Sequence, residues 1–410
     1  MKADNAMHAV SSERLQELLD TLATFGPTSD GGMNRQALSE EDFQARAWLI
    51  QKAHALGCEV WTDDCANLFI RRAGREDLPP VMTGSHIDTQ PTGGKLDGCY
   101  GVMAGLECLY ALEQADIVTR RPIELVVWTN EEGSRFSPGA MGSSAFVDPA
   151  RLDIYRNNVD AAGVSVGEAL DAHAQRFAGL PTRAKIESHA FVELHIEQGP
   201  VLEQADIPLG VVSGIQGVRW YQVRCTGTSA HAGTTPPSMR RDALWLAMES
   251  LEHIDRLAQR LAGDDKRLTF GRWNVVPNAI NTIPGEATFS IDFRHYDPAV
   301  LEAFDDELRA CLPSDAELTS LFVHAPTVFD QTVIDVLQQA CNATALQWQS
   351  IRSGAFHDAM YLAGHCPTAM LFVPSRDGIS HNPREFTKPE HLEAGVQALA
   401  WTLVSLAEQP

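Results

Sequence analysis

Histidines and carboxylates in this 410-residue chain recur where apolar, strand-like runs end. His86 and Asp88 follow the apolar run that begins at Val81, and Asp97 closes the Gly/Pro/Thr loop after them. At a strand end, residues i and i+2 face the same way, so Asp88 is expected to accept the second ring N–H of His86 and fix its tautomer. Asp97 could reach back and bridge two ions with its two oxygens. Glu131 and Glu132 follow the unbroken run 123–129. Two acids beside a buried strand are costly unless a cation compensates them. One can ligate a metal while its neighbour takes a proton from water. His195 ends the run 190–196, and His381 follows the run 368–374.

Each residue alone has a plainer reading. His86 fits a surface loop with a helix-capping aspartate, Glu131-Glu132 a solvated turn, and His195 a satisfied core histidine. The recurrence at successive strand ends is what points to metal. Three imidazoles and two carboxylates, with one glutamate to spare, suit a two-zinc or mixed-metal site. Calcium would want more oxygens.

The elements that must position these groups follow from periodicity. Leu15, Leu18, Leu19, Leu22 and Phe25 fall at helical spacing after a Ser11 or Ser12 cap, and Ser39-Glu40-Glu41-Asp42 opens a second helix. Short strands are expected at 58–62 and 67–71, with buried ones at 81–86, 123–129, 190–196 and 368–374. An apolar helix should follow Asp97, and an amphipathic one should close the chain over 389–406. Residues 149–188 read as helical and polar, without chemistry. From about Ser213 the pattern alternates, in 218–226 and 287–293, around a helix over 237–261. That β-α-β-β unit reads as a small domain inserted in a larger one. The expected class is α/β: a large di-metal catalytic domain with a mixed sheet flanked by helices, in two parts (1–212 and 327–410). A smaller α+β lid and dimerisation domain lies between them at 213–326.

A formal net charge of −22 argues against nucleic acid or an anionic membrane as partner, and leaves an anionic substrate to be held by local cations. No apolar run nears the length of a membrane span, and the start, MKADNAMHAVSSERLQ, lacks the apolar core of a secretory signal. The eight cysteines are scattered without CxxC, which fits free thiols in a reducing cytoplasm.

SHIDTQPTGGKLDG, TNEEGSRF, ELHIEQGPVLE, GTSAHAGTTPPSMRRDA and VPSRDGISHNPREF, in this order, resemble the hydantoinase/carbamoylase family of amidases. This is the M20 branch of N-carbamoyl-L-amino acid hydrolases, β-ureidopropionases and allantoate amidohydrolases. The early GGMNRQALSEED is similar to the family's Gly-Gly-x-x-Arg run. The resemblance implies two divalent ions per subunit, bridged by Asp97. His86 and His195 would complete one site, Glu132 and His381 the other, with Asp88 behind them and Glu131 as general base. It implies that His231, in SAHAG, stabilises the transition state, usually from the other subunit of a homodimer. Gln216, Asn281 and Arg294 would bind substrate, Arg294 through its carboxylate. Zinc, manganese, cobalt and nickel all tolerate this ligand mix.

The activity implied is hydrolysis of the carbamoyl group of an N-carbamoyl-L-amino acid, or of allantoate or a β-ureido acid. A dipeptidase or aminoacylase of the same superfamily matches the motifs less closely, and the intact Glu131 argues against a silent metal-binding protein. Two departures stand out. Phe356 in SGAFHDA occupies a position where a small glycine is usual, and Asn34 stands where a threonine is common. A phenyl ring there would narrow or redirect substrate choice if that loop lines the pocket.

Overall fold

A computed structural model describes Met1–Pro410. Contacts divide the chain into two compact units, Met1–Gly214 with Val328–Pro410, and Ile215–Thr327.

The first unit is built on a nine-stranded mixed sheet. Across its middle lie Ile123–Trp128, Val81–His86, Ala190–Ile196 and Thr368–Val373, in that order and mutually parallel. All four are buried along their whole length, which is why they read as unbroken apolar runs. Because they are parallel and adjacent, their C-terminal ends emerge along one edge of the sheet, where α/β folds place ligands. Antiparallel strands flank them: Leu68–Arg72 beside Ile123–Trp128, and Leu209–Ile215 beside Thr368–Val373.

The helix Cys99–Gln114 makes the crossover between Val81–His86 and Ile123–Trp128. It packs against the closing helix Pro389–Ala407, where Tyr100 Oη donates to Leu392 O at 2.7 Å. The helices Ser12–Leu22 and Glu40–Ala55 begin at Ser11 and Ser39, whose hydroxyls accept from Arg14 N and Asp42 N. The stretch 149–188 holds the helices Ala150–Tyr155 and Val166–Arg176. It is less polar in effect than its composition: Tyr155, Val166, Ala169 and Leu170 pack with Phe43, Phe136 and Met141 in a cluster of their own.

The second unit is a five-stranded antiparallel sheet. Gly217–Thr226 and Glu286–His295 form its centre, with the buried face of each closed over by the helices Ala243–Ala262 and Pro298–Leu308. It is larger than the expected β-α-β-β unit. Ala316–His324, Trp273–Val276 and Arg267–Thr269 add to the sheet, and the last two are too exposed to show an apolar period. The first helix also starts later than position 237. Pro237–Met239 is a single 3-10 turn, and Asp242 caps the helix by accepting from Leu244 N and Trp245 N. No helix of the chain is long and apolar enough to cross a membrane.

Candidate metal centre

The ends of the parallel strands bring five residues together. His86, Asp97 and His195 each present a ligand atom within 4.8 Å of the others, and so do Asp97, Glu132 and His381. Asp97 belongs to both groups and divides its oxygens between them. Oδ1 faces His195 Nε2 at 3.2 Å and His86 Nε2 at 3.9 Å, while Oδ2 faces His381 Nε2 at 3.0 Å. His381 Nε2 lies 3.4 Å from Glu132 Oε2, and Glu131 Oε2 lies 3.4 Å from His86 Nε2. His86, Asp97 and His195 are buried; His381 is 49 % exposed.

The hydrogen bonds around the two buried rings test whether a cation fits. His86 Nδ1 pairs with Asp88 O at 2.9 Å, and His195 Nδ1 with Ile196 O at 2.9 Å. Each Nδ1 therefore carries the proton, because a carbonyl can only accept. His86 Nε2 then turns a lone pair toward carboxylates, and His195 Nε2, which accepts from Gly98 N at 3.1 Å, lies 3.2 Å from Asp97 Oδ1. A lone pair facing carboxylates in a buried space calls for a positive charge between them, as a divalent metal provides. In the chain alone, protons answer that call. A hydrogen bond to Asp97 raises His381 to about 9, with Glu132 adding to it. Burial works against a charged His195, but Asp97 outweighs it and raises the ring to about 9. For His86 burial wins, and its pKa falls to about 4.

The carboxylates feel the same crowding. Burial, then Asp97, pushes Glu132 up to about 8. Burial, then Asp358, Glu132, Asp97 and Asp88, pushes Glu131 well above the usual carboxylate range. Burial also acts against a charged Asp97, but its partners His195 and His381 hold it well below that range.

Asp88 sits at the centre, but not as the sequence implied. Its main-chain carbonyl, not its carboxylate, receives the His86 ring N–H; the nearest carboxylate oxygen is 3.9 Å from Nδ1. The strand ends at His86, so the alternation that would turn both side chains the same way stops there. The Asp88 carboxylate instead reaches the next strand's end and accepts from Glu131 N and Glu132 N, each at 3.2 Å. It fixes the backbone of the glutamate pair.

Several polar residues at this centre were not singled out from the sequence. Gln90 donates to Glu132, from its main-chain N to Oε1 at 3.0 Å and from Nε2 to Oε2 at 2.8 Å. Gln198 Nε2 donates to Asp97 Oδ2 at 2.9 Å. Glu385 Oε1 accepts from Leu96 N at 2.8 Å and Asp97 N at 3.0 Å, and its other oxygen accepts from Ser380. His357 packs its ring edge-on to His195, centroids 4.6 Å apart. Asn130, Gln198 and His381 hold left-handed backbone, the kind of local strain that concentrates at functional sites.

The remaining residues singled out from the sequence lie in the second unit, in two pairs. Thr282 is the register partner of His231 in a two-stranded ribbon, and Ala232 N donates to Asn281 O at 3.0 Å, so His231 and Asn281 are neighbours. His231 Nδ1 accepts from Gly233 N at 3.0 Å, which leaves its proton on Nε2, exposed. Gln216 and Arg294 lie at the other end of the sheet, where Gly217 pairs with His295 and Val218 with Arg294. Arg294 Nε and Nη2 each donate to the Asp292 carboxylate at 2.9 Å.

Gly98 gives a sharp test of the first-unit geometry. It holds φ +63°, and a Cβ there would lie 2.3 Å from atoms of the His86 ring. Gly98→Ala therefore displaces His86 and weakens affinity for added divalent metal about tenfold or more, the scale of a disturbed ligand support. Gly57→Ala is the control. It has φ +69° but nothing within 4 Å of its Cβ, so it carries the backbone strain without the clash. Chelator competition on both variants checks this, and parent-like affinity in Gly98→Ala would contradict the placement of His86.

The model of peptidase family M20/M25/M40 matches residues 82–405. Over 405 residues the chain is 36 % identical to the allantoate amidohydrolase of Escherichia coli (strain K12), covering 97 % of this chain and 98 % of that one. It is 33 % identical to an N-carbamoyl-L-amino-acid amidohydrolase of Pseudomonas sp. (strain NS671), covering 96 % and 98 %. The crystal structure of a hydantoinase/carbamoylase family amidase from Burkholderia multivorans superposes with a TM-score of 0.88 at 41 % identity, covering 98 % of this chain and 99 % of that one. The chain thus belongs to peptidase family M20/M25/M40, in its hydantoinase/carbamoylase branch of amidohydrolases.

Proposed function

We propose that the protein uses two divalent cations to hydrolyse the carbamoyl group of N-carbamoyl-L-amino acids, giving the amino acid, ammonia and carbon dioxide. The observation that carries this reading is the division of Asp97 between two donor groups, with Glu131 beside them and in neither. His86, His195 and Asp97 would hold one cation, and Asp97, Glu132 and His381 the other. The N/O donor set suits zinc, manganese, cobalt or nickel. Such cations polarise a carbonyl and make water acidic near neutral pH. Glu131 then takes a proton from the attacking water and returns it to the leaving nitrogen. Asp88 keeps Glu131 in line through its amide N–H. Gln90, Gln198 and Glu385 hold Glu132, Asp97 and the Asp97 amide against movement.

On the substrate side, Arg294 and Gln216 would bind the carboxylate, and His231 Nε2–H and Asn281 the ureido oxygen as charge develops on it. The two pairs flank the ten-residue strand Gly217–Thr226, which spans about 30 Å at the usual rise per residue. That is too far for one copy to close both pairs on one small molecule. We therefore assign them to different subunits of a homodimer formed through the second unit. Trp245 and Met248, 62 % and 52 % exposed on the helix Ala243–Ala262, support an apolar surface there. The free cysteines and the acidic surface fit a cytoplasmic enzyme with neither nucleic acid nor membrane as partner.

Allantoate is the second reading, favoured by the identity to the Escherichia coli enzyme. It presents the same ureido group and carboxylate. Phe356, half-buried and next to His357, is the residue we would hold responsible for a choice between them. An ammonia-release panel decides: N-carbamoyl-L-amino acids, N-carbamoyl-β-alanine and allantoate, each with added metal and after chelation. Turnover of the first class that needs metal supports the proposal. Preference for allantoate selects the second reading, and ammonia release unaffected by chelation contradicts both.

A further inference from the structure

Arg35 is among the largest fully buried side chains, 1 % exposed, yet no carboxylate neutralises it. A buried guanidinium normally has an ionic partner, because its desolvation is costly. Here the donors go to three main-chain carbonyls and a thiol. Nε donates to Ile87 O at 2.8 Å, Nη1 to Leu22 O at 2.9 Å and Phe25 O at 2.7 Å, and Nη2 to Cys99 Sγ at 3.0 Å. Leu22 ends the helix Ser12–Leu22, so its carbonyl belongs to the helix's negative end and accounts for part of the counter-charge. The main chain is fixed as firmly. Arg35 N donates to Thr89 Oγ1 at 2.9 Å, and Thr89 N donates to Arg35 O at 2.9 Å.

What these bonds hold is the peptide between a histidine and an aspartate of the candidate centre. Ile87 O lies in the middle of His86-Ile87-Asp88. Arg35 grips it from one side, while His86 Nδ1 grips Asp88 O from the other. Ile87 O lies on the Ile87–Asp88 peptide and Asp88 O on the next one, so a shift at Ile87 O breaks the first bond and, by moving Asp88, disturbs the second. Such a shift swings the His86 ring and also the carboxylate that carries the amides of Glu131 and Glu132. We infer that Arg35 is a positioning residue of the metal centre: through the Ile87 carbonyl it fixes Asp88, whose main-chain oxygen holds the His86 ring and whose carboxylate holds the amides of the glutamate pair. This rests on the reading of His86 as a ligand. Lysine cannot replace it, since one ammonium on a flexible stem does not reproduce a planar fork bound on three sides.

The test uses the full chain loaded with cobalt(II), with Arg35→Lys, Arg35→Met and Thr89→Val. Chelator competition gives affinity, visible absorption the ligand geometry, thermal melting the stability, and steady-state kinetics kcat and KM. Arg35→Lys is expected to fold, bind cobalt about tenfold or more weakly and shift the absorption band. It should lose kcat with little change in KM. Thr89→Val, which removes one strut, shifts the same readouts less and keeps the inference testable if Arg35→Met does not fold. A lower melting temperature with the parent's band, affinity and kcat in Arg35→Lys and Thr89→Val would make Arg35 merely structural and overturn the inference. A parent protein that binds no cobalt overturns the metal reading itself, and with it this inference.

Discussion

Glu131→Gln retains its metal and loses about 10²- to 10⁴-fold in kcat, the contribution of a positioned general base. The amide matches the carboxylate in size and can still lie beside His86, where Glu131 Oε2 is 3.4 Å from Nε2. Its main-chain N–H still donates to Asp88. What it lacks is a site for the proton of the attacking water. Glu131 belongs to neither donor group around Asp97, so metal content per chain stays at the parent value. Stability adds a second, independent sign. Burial and four neighbouring carboxylates raise Glu131 well above its usual pKa. In the metal-free chain, ionising it therefore costs stability as pH rises above the unfolded value near 4.5. The neutral amide escapes that cost, so metal-free Glu131→Gln melts at the same or a higher temperature than the parent at pH 7 to 8. Glu132→Gln should behave oppositely, losing metal first. A Glu131→Gln enzyme that keeps kcat within tenfold, or that loses metal instead, would remove Glu131 from the role of base.

The sequence made the convergence readable because four parallel strands are buried on both faces. Their apolar runs are unbroken, and a histidine or carboxylate recurs at or just beyond the end of each: His86, Glu131-Glu132, His195 and, after a longer loop, His381. What supports those residues was not readable. Gln198 and Glu385 reach Asp97 across 101 and 288 residues of sequence, from loops without periodicity. Arg35 looked like part of a motif, and nothing in its neighbours announces a buried guanidinium. Asp88 lies in the cluster but its carboxylate has other partners than the His86 ring, since strand alternation stops at His86, two residues before it. In the second unit the edge strands are mostly exposed and show no alternation, so the sheet was larger than its apolar pattern. Burial writes itself into sequence; hydrogen bonds between distant loops do not.

Mixed dimers of Glu131→Gln and His231→Ala chains recover activity that neither variant has alone. In the second unit, His231 and Asn281 stand beyond one end of the paired strands Gly217–Thr226 and Glu286–His295, and Gln216 and Arg294 at the other. If both pairs act on one substrate, one of them comes from a second copy. With His231 acting across a two-fold interface, a mixed dimer gathers both substitutions into one active site and leaves the other intact. Random pairing of equal amounts makes about half the dimers mixed, and each has one working site, so about a quarter of parent activity returns. Against a parent-relative residue of about 10⁻² to 10⁻⁴ for Glu131→Gln, that is a rise of at least tens-fold. Two affinity tags isolate the mixed dimer, where the expected recovery is about half. Arg294→Lys separates this from general stabilisation by mixing. Paired with His231→Ala it should recover, because its lesion lies with Glu131's chain; paired with Glu131→Gln it should not, because both dimer sites then carry a lesion. A tagged mixed dimer of Glu131→Gln and His231→Ala without recovery places His231 in its own chain's site, or outside catalysis, and breaks the assignment of the two pairs to different subunits.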